Sequence, residues 1–183
     1  GTPTVRETEA NLGVLEENKV NIILHGHEPS LSEMIVLASE DLELVELAKE
    51  VGADGINLAG MCCTGNEVTM RHGVKTAGDF HQQELAIVTG AVEAMIVDVQ
   101  CIFPALAEVA THYHTKFITT SPKAQITGST YMEFHEETAL EDAKTIKNMI
   151  NNCTIVGVPR ITVRYTRQIR SASLIRKLPK PLL

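Results

Sequence analysis

No run of about 18 apolar residues occurs in this 183-residue sequence, so no segment is suited to cross a bilayer as a helix. The opening Gly1-Thr2-Pro3-Thr4 has neither the positive charge nor the apolar stretch of a secretory signal, and the chain is expected in the cytoplasm. An initiator methionine is missing too, which points to a start inside a larger polypeptide. Cysteines at CxxC spacing and histidines at HxxxH spacing are absent, and these are the usual ligand source for a structural zinc site. The GxGxxG fingerprint is missing from the first strand-to-helix turn, so a nucleotide is not the obvious ligand there. Neither internal repeats nor low-complexity segments occur, and no Asp or Glu follows Cys153.

What the chain does contain is an ordinary globular composition, 44% hydrophobic and 21% charged, at a length that suits one domain with its own core. The net charge of −7 conceals an asymmetry. Residues 1–153 hold all 23 acidic residues against 9 of the 16 basic ones, a net of −14, which argues against nucleic-acid binding by the body of the chain. The other 7 basic residues, Arg160, Arg164, Arg167, Arg170, Arg176, Lys177 and Lys180, lie in an acid-free stretch with Tyr165 as its sole aromatic. Such a stretch suits nucleic acid or an acidic surface, but without interleaved aromatics the plainer readings are a segment out of its normal context or one with no evolved role. The expected organisation is an α/β domain over 1–150 and a basic tail over 151–183.

Val20 to Leu24 is a short β-rich run that ends in His25-Gly26-His27, and Pro29-Ser30 opens an apolar-periodic stretch from Leu31 to Val51. A second strand is expected over 56–59, followed by a turn through Cys62 and Cys63 and a short helix over 66–71. A helix over 81–91, a third strand over 94–99 ending at Gln100-Cys101, and a helix opened by Pro104 come next. The fourth strand is expected over 116–119 and a last helix over 139–150. Strands alternating with helices predict an α/β fold: a Rossmann-like, doubly wound, mostly parallel sheet with helices on both faces.

In an open α/β sheet, ligands bind at the carboxyl ends of the strands. His27 follows the first strand, Cys62 and Cys63 the second and Cys101 the third, so residues distant in sequence are expected to converge on one edge of the sheet. Thiolates with one imidazole suit iron–sulfur chemistry, zinc or nickel, and do not suit magnesium or calcium. Singly, each has a plain structural reading, the cysteine as a small buried hydrophobe and the histidine as a satisfied polar group. Their coincidence at three strand ends is what points to a metal. A nucleophilic Cys63 paired with a histidine is the weaker alternative, because nothing marks an oxyanion hole or an orienting acid. Four cysteines in a chain expected in the cytoplasm read as thiols or ligands, and the adjacent Cys62 and Cys63 are poorly placed to pair with each other.

Four strings resemble the central domain of the nickel-dependent carbon monoxide dehydrogenases of anaerobes: HGHEPSLSEMI (25–35), GINLAGMCCTGNEVTMRHGV (55–74), QELAIVTGAVEAMIVDVQCI (83–102) and EFHEETALEDAK (133–144). The match runs nearly continuously from residue 1 to about residue 150, with the motifs in order. The resemblance implies a nickel–iron–sulfur cluster, a cubane of nickel and three irons with a fourth, pendant iron. It assigns His27 and Cys63 to the pendant iron, as catalytic residues and as ligands, and Cys101 to a cubane iron; Cys62 receives no ligand role. It implies reversible oxidation of carbon monoxide with water to carbon dioxide, two protons and two electrons, with a redox acceptor as partner and a homodimer as assembly. In that family further cluster cysteines come from a later domain, and additional [4Fe-4S] clusters from an N-terminal helical region. The present chain is therefore expected to contribute to the cluster without holding it alone, and to be inactive in isolation. Beyond residue 151 it departs from the family pattern. Two other readings are a hybrid-cluster reductase for hydroxylamine-type substrates, whose central domain is a relative, and a non-catalytic apo α/β module. The CCTGNE string and the HGH turn favour the carbon monoxide dehydrogenase reading over both.

Overall fold

The computed structural model describes residues 2–50, 52–139, 141, 142 and 145. Six strands form one sheet: β1 (Val20–His25), β2 (Ile56–Met61), β3 (Lys75–Gly78), β4 (Ala94–Val97), β5 (Lys116–Thr119) and β6 (Thr130–Tyr131). Every neighbouring pair runs parallel, in the order β3-β2-β1-β4-β5-β6. Parallel neighbours need crossovers. These are supplied by α1 (Pro29–Ser39) and α2 (Leu42–Glu50) after β1, α3 (Cys62–His72) after β2, α4 (Gln83–Val88) after β3 and α5 (Ala105–Thr111) after β4. The chain winds outward from β1 to β3, returns to the middle and winds outward again from β4, which is the doubly wound arrangement. The expected α/β class is the one observed.

Both faces of the sheet are covered, which is why its central strands read as mostly apolar runs, interrupted at Asn21, His25 and Asn57. All six residues of β1 and all four of β4 are buried. Ile22, Leu24, Ala94, Ile96 and Ile118 project into one core with Leu31, Ile35, Val36, Ala48 and Val68 from α1, α2 and α3. Ile23, Met61, Met95, Val97 and Phe117 project into the other with Ala86, Ile87, Leu106 and Ala110 from α4 and α5. The period of two in these lists is the strand pleat itself.

Several boundaries differ from expectation, each for a local reason. The single helix expected over 31–51 is broken at 40–41, where the Asp41 carboxyl accepts the Glu43 amide at 3.0 Å and restarts the helix. β2 runs on through Gly60 and Met61, and α3 begins at Cys62, so the cysteine pair sits in the first turn of a helix and not in a loop. Glycine at 60 and 65 permits this close return: a Cβ on Gly60 would lie 2.3 Å from the Gly65 Cα. β3 and β6 are short edge strands without an apolar run to announce them. Most of the helix expected over 139–150, Cys153 and the tail over 151–183 lie outside the described residues. Among the described residues no helix is long and apolar enough to cross a membrane.

Candidate metal centre

β2, β1 and β4 are adjacent in the sheet, so the turns at their carboxyl ends are neighbours too. After β1 the chain turns at Gly26, whose φ of 129° lies where side chains are strained. A Cβ there would stand 1.8 Å from Asp98 Oδ1. Asp98 follows β4 and is 3% exposed. Its Oδ1 accepts the amides of His27, at 2.6 Å, and Val99. Its Oδ2 accepts the Glu28 amide at 2.8 Å and, at 3.5 Å, the Thr64 hydroxyl. The Thr64 amide in turn donates to the Gly26 carbonyl at 2.9 Å, joining the first turn of α3 to the turn after β1.

The thiols meet in an open cavity of about 470 Å³ lined by Cys62, Cys63 and Cys101 together with Asn66, Asp79 and Phe80. All three are free thiols, with Cys63 and Cys101 exposed. Cys62 and Cys101 adopt φ of 59° and 50°, as Gln100 does at 61°. Non-glycine residues seldom occupy this region, at a cost of order 1–3 kcal/mol each. Backbone strain is thus concentrated in the two turns that present sulfur to the cavity. The Cys62 thiol is pushed up to about 12, first by burial and then by the neighbouring Cys101, Cys63 and Asp79. No basic side chain among the described residues lines the cavity to offset these sulfurs. A cation would do so by displacing thiol protons, and the helical first turn at Cys62 and Cys63 favours the resulting anions.

Behind the cavity, His25 is 1% exposed and lies 3.2 Å by its Nε2 from Gln83 Oε1. Burial lowers its pKa against the opposing effects of Gln83, Asp98 and the Met61 and Cys101 carbonyls. Gln83 also accepts the Phe103 amide at 3.1 Å and donates to the Phe80 carbonyl at 2.6 Å, tying two rims of the cavity together. Asp98 and Gln83 escaped the sequence reading. The first had a signal, an acid inside the apolar run IVDV, whereas Gln83 had none.

His27 does not line the cavity, although its Nδ1 is buried without a hydrogen-bond partner among the described residues. Among the described residues no three His, Cys, Asp or Glu side chains are grouped to hold one metal ion. A single ion demands ligand atoms converging on one point, whereas a polynuclear sulfide cluster takes its protein ligands one metal at a time. Three thiols spread around one cavity fit the second kind of centre better than the first.

The model of the Prismane/CO dehydrogenase family matches residues 1–160. The chain belongs to this family. It is 59% identical over 169 residues to carbon monoxide dehydrogenase 1 of Methanosarcina mazei, an alignment covering 92% of this chain and 27% of that protein. Against carbon monoxide dehydrogenase 1 of Carboxydothermus hydrogenoformans the identity is 54% over 147 residues, covering 80% and 23% respectively. The as-isolated, nickel-free crystal structure of the carbon monoxide dehydrogenase from Thermococcus sp. AM4 superposes with a TM-score of 0.82 at 54% identity, covering 87% of this chain and 25% of that one. The chain therefore spans about a quarter of the length of these relatives.

Proposed function

We propose that residues 1–150 are the cluster-bearing central domain of a carbon monoxide dehydrogenase catalytic subunit, with 151–183 a basic segment outside it. The parent enzyme reversibly oxidises carbon monoxide with water to carbon dioxide, two protons and two electrons, and passes the electrons to a redox acceptor in an anaerobic cytoplasm. His27 and Cys63 hold the pendant iron and Cys101 a cubane iron. A bound nickel–iron–sulfur cluster supplies Lewis acidity and electron storage. His27 brings a neutral donor, which leaves an iron a stronger Lewis acid than another thiolate would. The remaining ligands, additional [4Fe-4S] clusters and a homodimeric partner belong to parts of the parent beyond this chain, so the chain alone is inactive.

The observation that carries this reading is the shared cavity of Cys62, Cys63 and Cys101 at the carboxyl edge of the sheet. One feature supports it: the buried His27 Nδ1 has no hydrogen-bond partner among the described residues. The names of the matched relatives do not favour a hybrid-cluster reductase. The test is anaerobic reconstitution of the full-length parent with iron, sulfide and nickel, followed by metal analysis and electron paramagnetic resonance. A nickel–iron cluster is expected, with carbon monoxide oxidation lost in His27→Ala and Cys63→Ala. Absence of the cluster, or intact oxidation in both variants, refutes the assignment.

A further inference from the structure

We infer that Asp98 is the positioning residue of this centre, the group that sets its three ligand-bearing turns in register. The inference rests on the ligand assignment proposed above. Asp98 is buried at the end of β4, where an acid is costly unless its oxygens are hydrogen-bonded. Every side-chain partner it has is a donor, so it works as an acceptor at both oxygens.

These donors come from three different turns. The His27 and Glu28 amides belong to the turn after β1, so the carboxyl bonds a candidate ligand through its own backbone. The Thr64 hydroxyl belongs to the first turn of α3, one residue beyond Cys63. The Val99 amide belongs to the turn after β4, two residues before Cys101. The Thr64 amide to Gly26 carbonyl bond closes the circuit.

The sheet does not need this group. β1 and β4 are paired through His25 and Val97, and the Asp98 amide itself extends that ladder to the His25 carbonyl at 3.2 Å. Sheet register is therefore fixed by backbone bonds and by the two cores, and the carboxyl serves the turns. Side chains that orient metal ligands without touching the metal typically contribute about 10–100-fold to affinity.

The experiment uses the full-length parent with Asp98→Asn, which keeps the side chain's size but turns an NH₂ toward one amide donor. In the apoprotein, hydrogen exchange at the His27 and Glu28 amides is expected to rise about tenfold or more, with the interior of β1 unchanged. After anaerobic reconstitution, iron and nickel affinity is expected to fall about 10–100-fold. The paramagnetic signature of the catalytic cluster is altered or lost, the other iron–sulfur signals persist, and Asp98→Glu does not restore it. Adding His27→Ala to Asp98→Asn gives little further loss, because the first change already misplaces that ligand. Native metal content and a native cluster spectrum in Asp98→Asn, with only a lower unfolding midpoint, overturn the inference. So does unchanged exchange at His27 and Glu28. If Asp98→Asn does not fold, Thr64→Val decides by the same readouts, with a smaller loss in the same direction expected and native spectra counting against. If the wild-type parent takes up no nickel–iron cluster, the ligand assignment fails and carries this inference with it. A native wild-type spectrum beside a native Asp98→Asn spectrum sinks the inference alone.

Discussion

Replacing Gly26 by alanine puts a methyl group where the Asp98 carboxyl already stands. The new Cβ would lie 1.8 Å from Oδ1, 2.3 Å from Cγ and 2.7 Å from Oδ2, all inside the 3.0 Å limit for real Cβ contacts. The carboxyl can swing aside only by surrendering bonds to the His27, Glu28 or Val99 amides, each charge-assisted bond contributing about 1.5–3 kcal/mol. If the turn moves instead, overpacking costs about 1–3 kcal/mol. Alanine at φ 129° adds about 1–3 kcal/mol of backbone strain. The sum, about 2–6 kcal/mol, is a large part of the roughly 5–15 kcal/mol that holds a typical domain together. Gly55→Ala is the control, because Gly55 has φ 147° and nothing within 4 Å of its would-be Cβ, so it isolates the backbone contribution. Urea unfolding followed by circular dichroism is expected to show Gly26→Ala less stable than Gly55→Ala by about 2 kcal/mol or more. If the two unfold within about 1 kcal/mol of each other, the carboxyl does not constrain the turn and the reasoning is wrong.

Other perturbations follow from the same contacts. Gly65→Ala places a Cβ 2.8 Å from the Gly60 carbonyl carbon, so α3 must lift from β2; a loss of about 2–4 kcal/mol by urea unfolding is expected, together with reduced iron uptake by the reconstituted parent. Asn21→Ala strips the half-buried Glu16 and Lys19 carbonyls and the buried Ala91 carbonyl of a shared donor and the Glu16 amide of its acceptor, so a loss of about 3 kcal/mol is expected in the same assay. Ile23→Ala empties a fully buried position of the central strand, and a midpoint shift corresponding to about 2–5 kcal/mol is expected; under 1 kcal/mol would mean that β1 is not central to the core. Gln83→Leu removes the Phe103 and Phe80 backbone partners, and faster amide exchange at Phe103 with little change in β4 is the expected signature.

The strong elements were legible because burial on both faces writes itself into sequence as mostly apolar, β-rich runs such as VNIIL and AMIV. From those runs came the parallel sheet, and from the sheet came the edge on which the cysteines had to stand. Edge strands β3 and β6 were not legible, since a four-residue KTAG or a two-residue pair carries no periodicity to detect. The break between α1 and α2 depended on one capping carboxyl, and the early start of α3 on a glycine-to-glycine contact that exists only once β2 and α3 are packed. At the site, residue type and strand order were enough to bring Cys62, Cys63 and Cys101 to one edge of the sheet, where all three line one cavity. They were not enough to show that His27 stands outside its lining, which depends on the turn at Gly26. Asp98 was marked only as an acid inside an apolar run, and Gln83 not at all, because most of their partners are backbone groups that no sequence pattern encodes.

The place of β1 between β2 and β4 has a consequence for the order of events in making this protein. The sulfur-bearing turns are separated along the chain by β3, α4 and β4, and become neighbours only when β4 has docked on the far side of β1 from β2. The two cores that drive this docking are built from apolar side chains, with the partly buried Cys62 packed against one of them. In small zinc modules the ion supplies the folding energy and arrives before the structure. Here the sheet must close before the three thiols share a cavity, so the site is a product of folding and not its seed.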